Sequence, residues 1–235
     1  MVIDAAHALV LGGAAVALGL SGIGSVIGIT KIGQASEVSL IDQPDRFGVG
    51  LIFTVLAESP AIYGLLVAIL IVLQIASKEL TMPIAIAAFS AGLVMGISGL
   101  FSAIGIGKAG STAIGALVER KDLFGKSLIF TIFPETVAIY GLLTSIIILL
   151  PAGLAGAVRI ETVAQALATL FAAIVVGLTS ITGLYLGNVA STSIKTILED
   201  DTLFGKALIL AVLPESVAIY GLLIGIVILR GAGIL

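Results

Sequence analysis

The chain has 235 residues, 59% hydrophobic and only 11% charged, with a mean hydropathy of +1.28, a net charge of −3, one histidine and no cysteine. This composition is that of an integral membrane protein, and it excludes disulfides, thiol chemistry and, for want of ligands, a zinc or haem site. The weak acidic balance, carried by short connections, argues against a nucleic-acid partner.

A helix needs ~20 mostly apolar residues to cross a ~30 Å hydrocarbon core. Six windows meet that need, at residues 5–30, 49–76, 82–106, 127–150, 163–189 and 207–229, and they use up nearly the whole length. No alternation of apolar and polar residues supports a membrane β-barrel, so the spans are helices, the other structure that satisfies its own backbone in lipid. The start, Met1-Val2-Ile3-Asp4, lacks the basic residues of a signal peptide, and the first window is expected to be a retained helix. His7, at its beginning, is expected at a wet interface.

Three of the windows carry a lone glutamate, in Leu56-Ala57-Glu58-Ser59-Pro60, Phe133-Pro134-Glu135-Thr136-Val137 and Leu213-Pro214-Glu215-Ser216-Val217, each followed by Ala-Ile-Tyr-Gly. A carboxylate at bilayer depth costs roughly 2.5–3.5 kcal/mol on insertion scales, so it reads as functional, usually on an ion path. The glutamates are 77 and 80 residues apart, and each lies eleven positions after a Phe-Gly pair: Phe47-Gly48, Phe124-Gly125 and Phe204-Gly205. The chain is therefore three tandem helical hairpins. Their limits are 1–78, 79–157 and 158–235, with polar turns at Gln43-Pro44-Asp45-Arg46, Glu119-Arg120-Lys121-Asp122 and Glu199-Asp200-Asp201-Thr202. Eleven helical residues put each carboxyl ~16 Å from the Phe-Gly end, about half of a ~30 Å core.

The first helices of hairpins one and two are rich in glycine, which suits crowded inner positions. The third has only Gly177, Gly183 and Gly187 in its span and is expected to be packed more loosely or filled differently. Eight of the eleven basic residues lie at or near the polar turns, against Lys78, Arg159 and Arg230 on the other side. The positive-inside rule makes the turns cytoplasmic and puts both termini on the outer face. All three hairpins then share one orientation, like an arc of a larger ring.

Ser21-Gly22-Ile23-Gly24-Ser25, Gly33-Gln34, Gln43-Pro44, Phe47-Gly48 and the Glu-Ser/Thr motifs with their Tyr-Gly resemble the proteolipid rotor-ring subunit, called c or K, of A/V-type ATP synthases and ATPases, in a three-hairpin form. The resemblance covers the whole chain. It implies an all-α membrane protein of six transmembrane helices that assembles into a homo-oligomeric ring, in which Glu58, Glu135 and Glu215 each carry one H⁺ or Na⁺. The subunit itself would be non-catalytic and would need no cofactor beyond the transported ion. The implied partners are copies of itself, membrane lipid, a stator subunit with a midmembrane arginine, and a central-stalk subunit at the cytoplasmic turns.

The residues support that mechanism on their own terms. A carboxyl taken out of water prefers its neutral state, so release of the ion calls for a fixed positive charge at the same depth. The four arginines, Arg46, Arg120, Arg159 and Arg230, all fall in turns or at span ends, so that charge must come from another polypeptide.

In the sodium-binding members of this family the cation is held by the glutamate, the following hydroxyl, a backbone carbonyl and usually one or two glutamines. Here the hydroxyls persist as Ser59, Thr136 and Ser216, and Tyr63, Tyr140 and Tyr220 lie four residues beyond them on the same helix face. Leu56 supplies a freed carbonyl, because a proline releases the carbonyl four residues before it; by the same rule Pro134 and Pro214 free Phe130 and Leu210. The first-helix glutamine position, 29 residues before each glutamate, is Ile29, Ile106 and Leu186, and the second is Pro60, Val137 and Val217. A hard cation needs a set of oxygens and a proton needs one or two hydrogen bonds, so the proton is favoured, with a sodium-coupled version of the same rotor as the alternative. A metal site follows only in that sodium case, at the same glutamates.

A self-contained six-helix transporter or channel is the competing class; identical repeats argue against it, since a transport site gathers different polar groups. A purely structural proteolipid leaves the three glutamates unexplained. Gly105-Ile106-Gly107-Lys108-Ala109-Gly110 matches a dinucleotide fingerprint but lacks the preceding strand and reads as helix packing. Lys31, Lys108 and Asn188 occupy equivalent positions and read as snorkelling groups, and Tyr185, without an equivalent, reads as packing.

Overall fold

The computed structural model describes residues 4–76, 79–154, 156 and 158–235; the hairpin limits at 78 and 157, and Lys78 of the charge count, lie outside them. Among the described residues six helices are long and apolar enough to cross a membrane: α1 Ala5–Asp42, α2 Pro44–Ile75, α3 Met82–Glu119, α4 Lys121–Leu149, α5 Val163–Glu199 and α6 Asp201–Gly231. The first helix of each hairpin runs well past its apolar window. In α1 the polar residues beyond Thr30 lower the hydropathy without breaking the helix, because Ser36 and Ser39 return their hydroxyls to the carbonyls of Ile32 and Ser36 at 2.8 and 2.7 Å.

Local chemistry fixes the ends. The carboxylate of Asp4 caps α1 by accepting from the His7 amide at 2.9 Å, and the His7 ring Nδ1 sits 2.8 Å from the same oxygen. That amide first, and the ring after it, hold the Asp4 carboxyl below its usual range. Thr162 and Gln165 form a reciprocal capping box at the start of α5. At the turns a single residue, Gln43, Arg120 or Asp200, separates the two helices of a hairpin, and the second helix opens on a tight 3₁₀ turn.

The helices form two rows. α3 packs against α1 on one side and α5 on the other, while α2, α4 and α6 each lie against the first helix of their own hairpin, α2 also touching α4 and α4 touching α6. Glycine sets the spacing of the inner row. A Cβ on Gly24 would come within 2.6 Å of the Leu100 backbone, and one on Gly92 would strike the backbone of Gly13. Deeper along the same contact Gly28 meets Ala103 and Gly107, and Gly105 of α3 meets Gly183 and Gly187 of α5. The three glycines of the apparent nucleotide fingerprint are accounted for in this way, Gly105 by α5, Gly107 by Gly28 and Gly110 by Ile32.

α5 has fewer glycines than α1 or α3, yet Gly183 and Gly187 stand where close approach is needed. It differs instead by an interruption at Ser180–Ile181, where the Ser180 hydroxyl lies 2.7 Å from that of Ser98 on α3.

Gly105→Val places its Cβ against the Gly183 carbonyl, a backbone atom with no rotamer to yield, so it is expected to destabilise the folded protein by about 1–3 kcal/mol or more. Gly125→Ala, in a helix and facing open space, should instead stabilise by up to about 1 kcal/mol. The temperature at which each purified variant loses its fold in detergent measures both.

Candidate ion-binding sites

Each outer helix is interrupted next to its glutamate, at Ala57–Glu58, Phe133–Pro134 and Leu213–Pro214. The prolines differ in place, Pro60 falling after its glutamate and Pro134 and Pro214 before theirs, yet the interruptions agree within one residue of the repeat. Proline tolerates the first turn of a helix, where its missing N–H has no partner to lose, so either placement allows the segment to restart at the carboxyl. The hydroxyl after each glutamate turns back onto its own helix: Ser59, Thr136 and Ser216 donate to the carbonyls of Leu56, Phe133 and Leu213, each at 2.8 Å.

The tyrosines do not turn back. Tyr63 donates its hydroxyl to the Glu135 carboxylate at 2.7 Å, and Tyr140 donates to Glu215 at 2.6 Å. Every such bond runs from one hairpin to the next, so the sites lie at the joints between hairpins. Ser59 and Thr136 stand one helical turn before these tyrosines, on the same face of the helix. Sequence spacing holds the signal for this arrangement. A tyrosine five residues beyond its own glutamate is rotated about 140° round the helix, away from that carboxyl and toward a neighbour.

At the glutamine positions of the sodium-binding pattern the wall behind the joints is apolar. Leu186, Val137 and Ala218 form a buried cluster with Tyr140 packed on it, and Ile106 is buried with Phe53 and Ala57. Ile29 packs on the edge of that second group. The glutamine positions of the sodium-binding pattern thus carry hydrocarbon facing hydrocarbon.

The two ends of the row are left open. Glu58 is exposed and accepts no hydrogen bond among the described residues, while Tyr220 is 61% exposed and donates none. A ring stack follows the same pattern. Phe53 meets Phe124 edge-to-face with centroids 5.9 Å apart, and Phe130 meets Phe204 at 5.6 Å, again from one hairpin to the next. Their counterparts at the ends are Leu210 and Phe47, 60% and 64% exposed. Elsewhere, Lys108 donates to Asn188 at 2.8 Å, joining two of the three equivalent polar positions on the inner helices.

If the bonds cross between hairpins, Tyr63→Phe should alter the rate at which a hydrophobic carbodiimide modifies Glu135 by severalfold and leave Glu58 unchanged, and Tyr140→Phe should act on Glu215 alone. Site-resolved mass spectrometry of the labelled chain reads this directly, and an effect of Tyr63→Phe on Glu58 would contradict the arrangement.

The family model for the C subunit of ATP synthase matches the chain three times, over residues 12–71, 89–148 and 170–228. Among similar proteins is the A-type ATP synthase subunit K of Methanocaldococcus jannaschii, 40% identical over 188 residues that make up 80% of each chain. The V-type sodium ATPase subunit K of Enterococcus hirae is 33% identical over 47% of this chain and 70% of its own, and the 16 kDa proteolipid of the human V-type proton ATPase is 30% identical over 45% and 68%. Three matches in register with three hairpins, together with a relative that aligns along most of both chains, show that this protein belongs to the family of ATP synthase C subunits, as a rotor-ring proteolipid of the A/V type.

Proposed function

We propose that each hairpin carries one coupling ion on its midmembrane glutamate, that the ion is the proton, and that the chains close into a ring by repeating the internal joint between copies. The observation that carries this reading is the hydrogen bond from Tyr63 to Glu135 and its repetition from Tyr140 to Glu215, with the donor Tyr220 and the acceptor Glu58 left over at opposite ends. A second copy placed after hairpin three brings its Glu58 to Tyr220 and its Phe47 to Leu210, and every site is then complete.

The proton follows from the oxygen inventory. Besides its carboxylate, each joint within the chain offers a phenol, the hydroxyl after each glutamate already donates to a carbonyl, and the positions that supply amide oxygens in the sodium-binding pattern are Ile29, Ile106 and Leu186. One donor suffices for a carboxyl that alternates between protonated and ionised states; a hard cation calls for several oxygens together. The subunit does no chemistry itself. Rotation brings each neutral carboxyl to a stator arginine, where the ionised form is stabilised and the proton leaves, while a central stalk at the polar turns carries torque to the soluble head. The basic residues at Lys31, Arg46, Lys108, Arg120, Lys121, Lys126, Lys195 and Lys206 put those turns in the cytoplasm and both termini on the outer face.

Because every site passes the stator, Glu215→Gln in an otherwise intact chain should abolish ATP-driven ion transport by the assembled complex even though Glu58 and Glu135 remain; near-normal transport would refute the shared path. For the ion, carbodiimide labelling of all three glutamates should fall as pH rises and be indifferent to NaCl at constant ionic strength. Protection by low millimolar sodium, absent with potassium, would overturn the proton assignment.

A further inference from the structure

The joint between hairpins has an inner half and an outer half, and they can be followed separately. The outer half is the tyrosine–glutamate bond. The inner half, at the same level, is a contact between first helices made at one repeat position: Gly28 of α1 against Ala103 and Gly107 of α3, then Gly105 of α3 against Gly183 and Gly187 of α5. These steps of 77 and 80 residues are the same as those that separate the glutamates, and the first helices end in the same register at Asp42, Glu119 and Glu199. Carried one step further, the position is Tyr185, and the residues it meets, equivalent to Ala103 and Gly107, are Val26 and Thr30 of a second copy.

All three are free to make that contact. Tyr185 is 53% exposed, Val26 is 63% exposed and Thr30 is exposed. Their depth is also fixed, because Leu186, the residue after Tyr185, is buried against Val137 and Ala218 in the cluster behind the Tyr140–Glu215 bond. In both internal joints a Cβ at the glycine would collide with backbone across the contact. At the copy-to-copy joint every contact position carries a side chain, and one of them is a phenol. Small residues let helices approach closely, whereas ordinary side chains hold helix axes roughly 8–10 Å apart.

We propose that Tyr185 seats one copy of this chain on the next, so that the inner helices stand farther apart between copies than within a chain, and that its phenol forms the inner wall of the Glu58 site of the adjoining copy. This rests on the ring reading above and adds to it. Two of three joints hold a single tyrosine beside the carboxyl, and the third holds two, Tyr185 and Tyr220. Glu58 thus works in a wider and more polar setting than Glu135 or Glu215, and its site is assembled from two chains.

The native chain has no cysteine, so introduced pairs report contacts without background. In membranes, a short bifunctional maleimide should link copies bearing Leu210→Cys with Phe47→Cys, and equally those bearing Tyr185→Cys with Val26→Cys, into multimers on a denaturing gel. If the outer pair links and the Tyr185–Val26 pair does not, the ring stands and the proposed seat is wrong; if neither links, the ring reading fails and takes this one with it. Tyr185→Phe keeps the bulk and removes the hydroxyl. It should change the carbodiimide modification rate of Glu58 at least threefold while Glu135 and Glu215 stay within twofold, and equal rates at all three sites before and after the substitution would overturn the assignment of the phenol to the Glu58 site.

Discussion

A carboxyl group on an apolar helix long enough to cross a membrane has few acceptable surroundings, and the outer row of this protein is organised around providing one. Left bare and ionised in lipid it costs several kcal/mol, and a hydrogen-bond donor within reach lowers that cost. That donor stands on the preceding hairpin, in Tyr63 for Glu135 and Tyr140 for Glu215. Had it stood on the same helix, each hairpin would be a finished unit. Dividing the site makes the carboxyl's environment a property of the joint, so the chemistry and the assembly are maintained by the same contact.

The inner row answers a different constraint. Two rows of helices that bend into a closed wall have unequal perimeters, and the same number of helices must fit the shorter one. Backbone-to-backbone contact through Gly13, Gly24, Gly28 and Gly92 allows α1 and α3 to lie close, while the outer helices, separated by stacked phenylalanines, stay apart. Glycine in a helix costs roughly 1 kcal/mol relative to alanine where nothing is gained in return. In these helices the return is the close approach of α1 to α3.

Much of this was legible in the residues. The hydropathy windows find six helices, and the spacing of Glu58, Glu135 and Glu215 finds the repeat. The windows miss the true ends of α1, α3 and α5, because hydropathy falls at Lys31 or Lys108 while the backbone ladder continues to Asp42 or Glu119. The destination of the tyrosines is harder to see. Ser59 and Tyr63 share a helix face by simple periodicity, but which neighbour that face meets depends on how α2 is rotated against α4, and no single-chain pattern states the rotation. For α5 the number of glycines says little, since it is Gly183 and Gly187, at the contact, that decide the approach.

The two joints within the chain are alike in the middle and unlike at their turn ends. Between hairpins one and two, Gln43 donates to the carbonyl of Val118 at 2.8 Å and Arg46 donates to that of Leu117, so the first turn caps the end of α3. Between hairpins two and three, Lys126 pairs with Asp201 and lies over the ring of Phe204 instead. Neither device can substitute for the other, since the repeat puts Val49 where Lys126 stands and Leu123 where Arg46 stands. The middle of each of these joints is held constant by the carboxyl and its tyrosine donor, and the ends, free of that duty, have room to differ. Three nearly identical hairpins on one chain could otherwise pair in the wrong order, and unlike ends tell each hairpin which neighbour to accept.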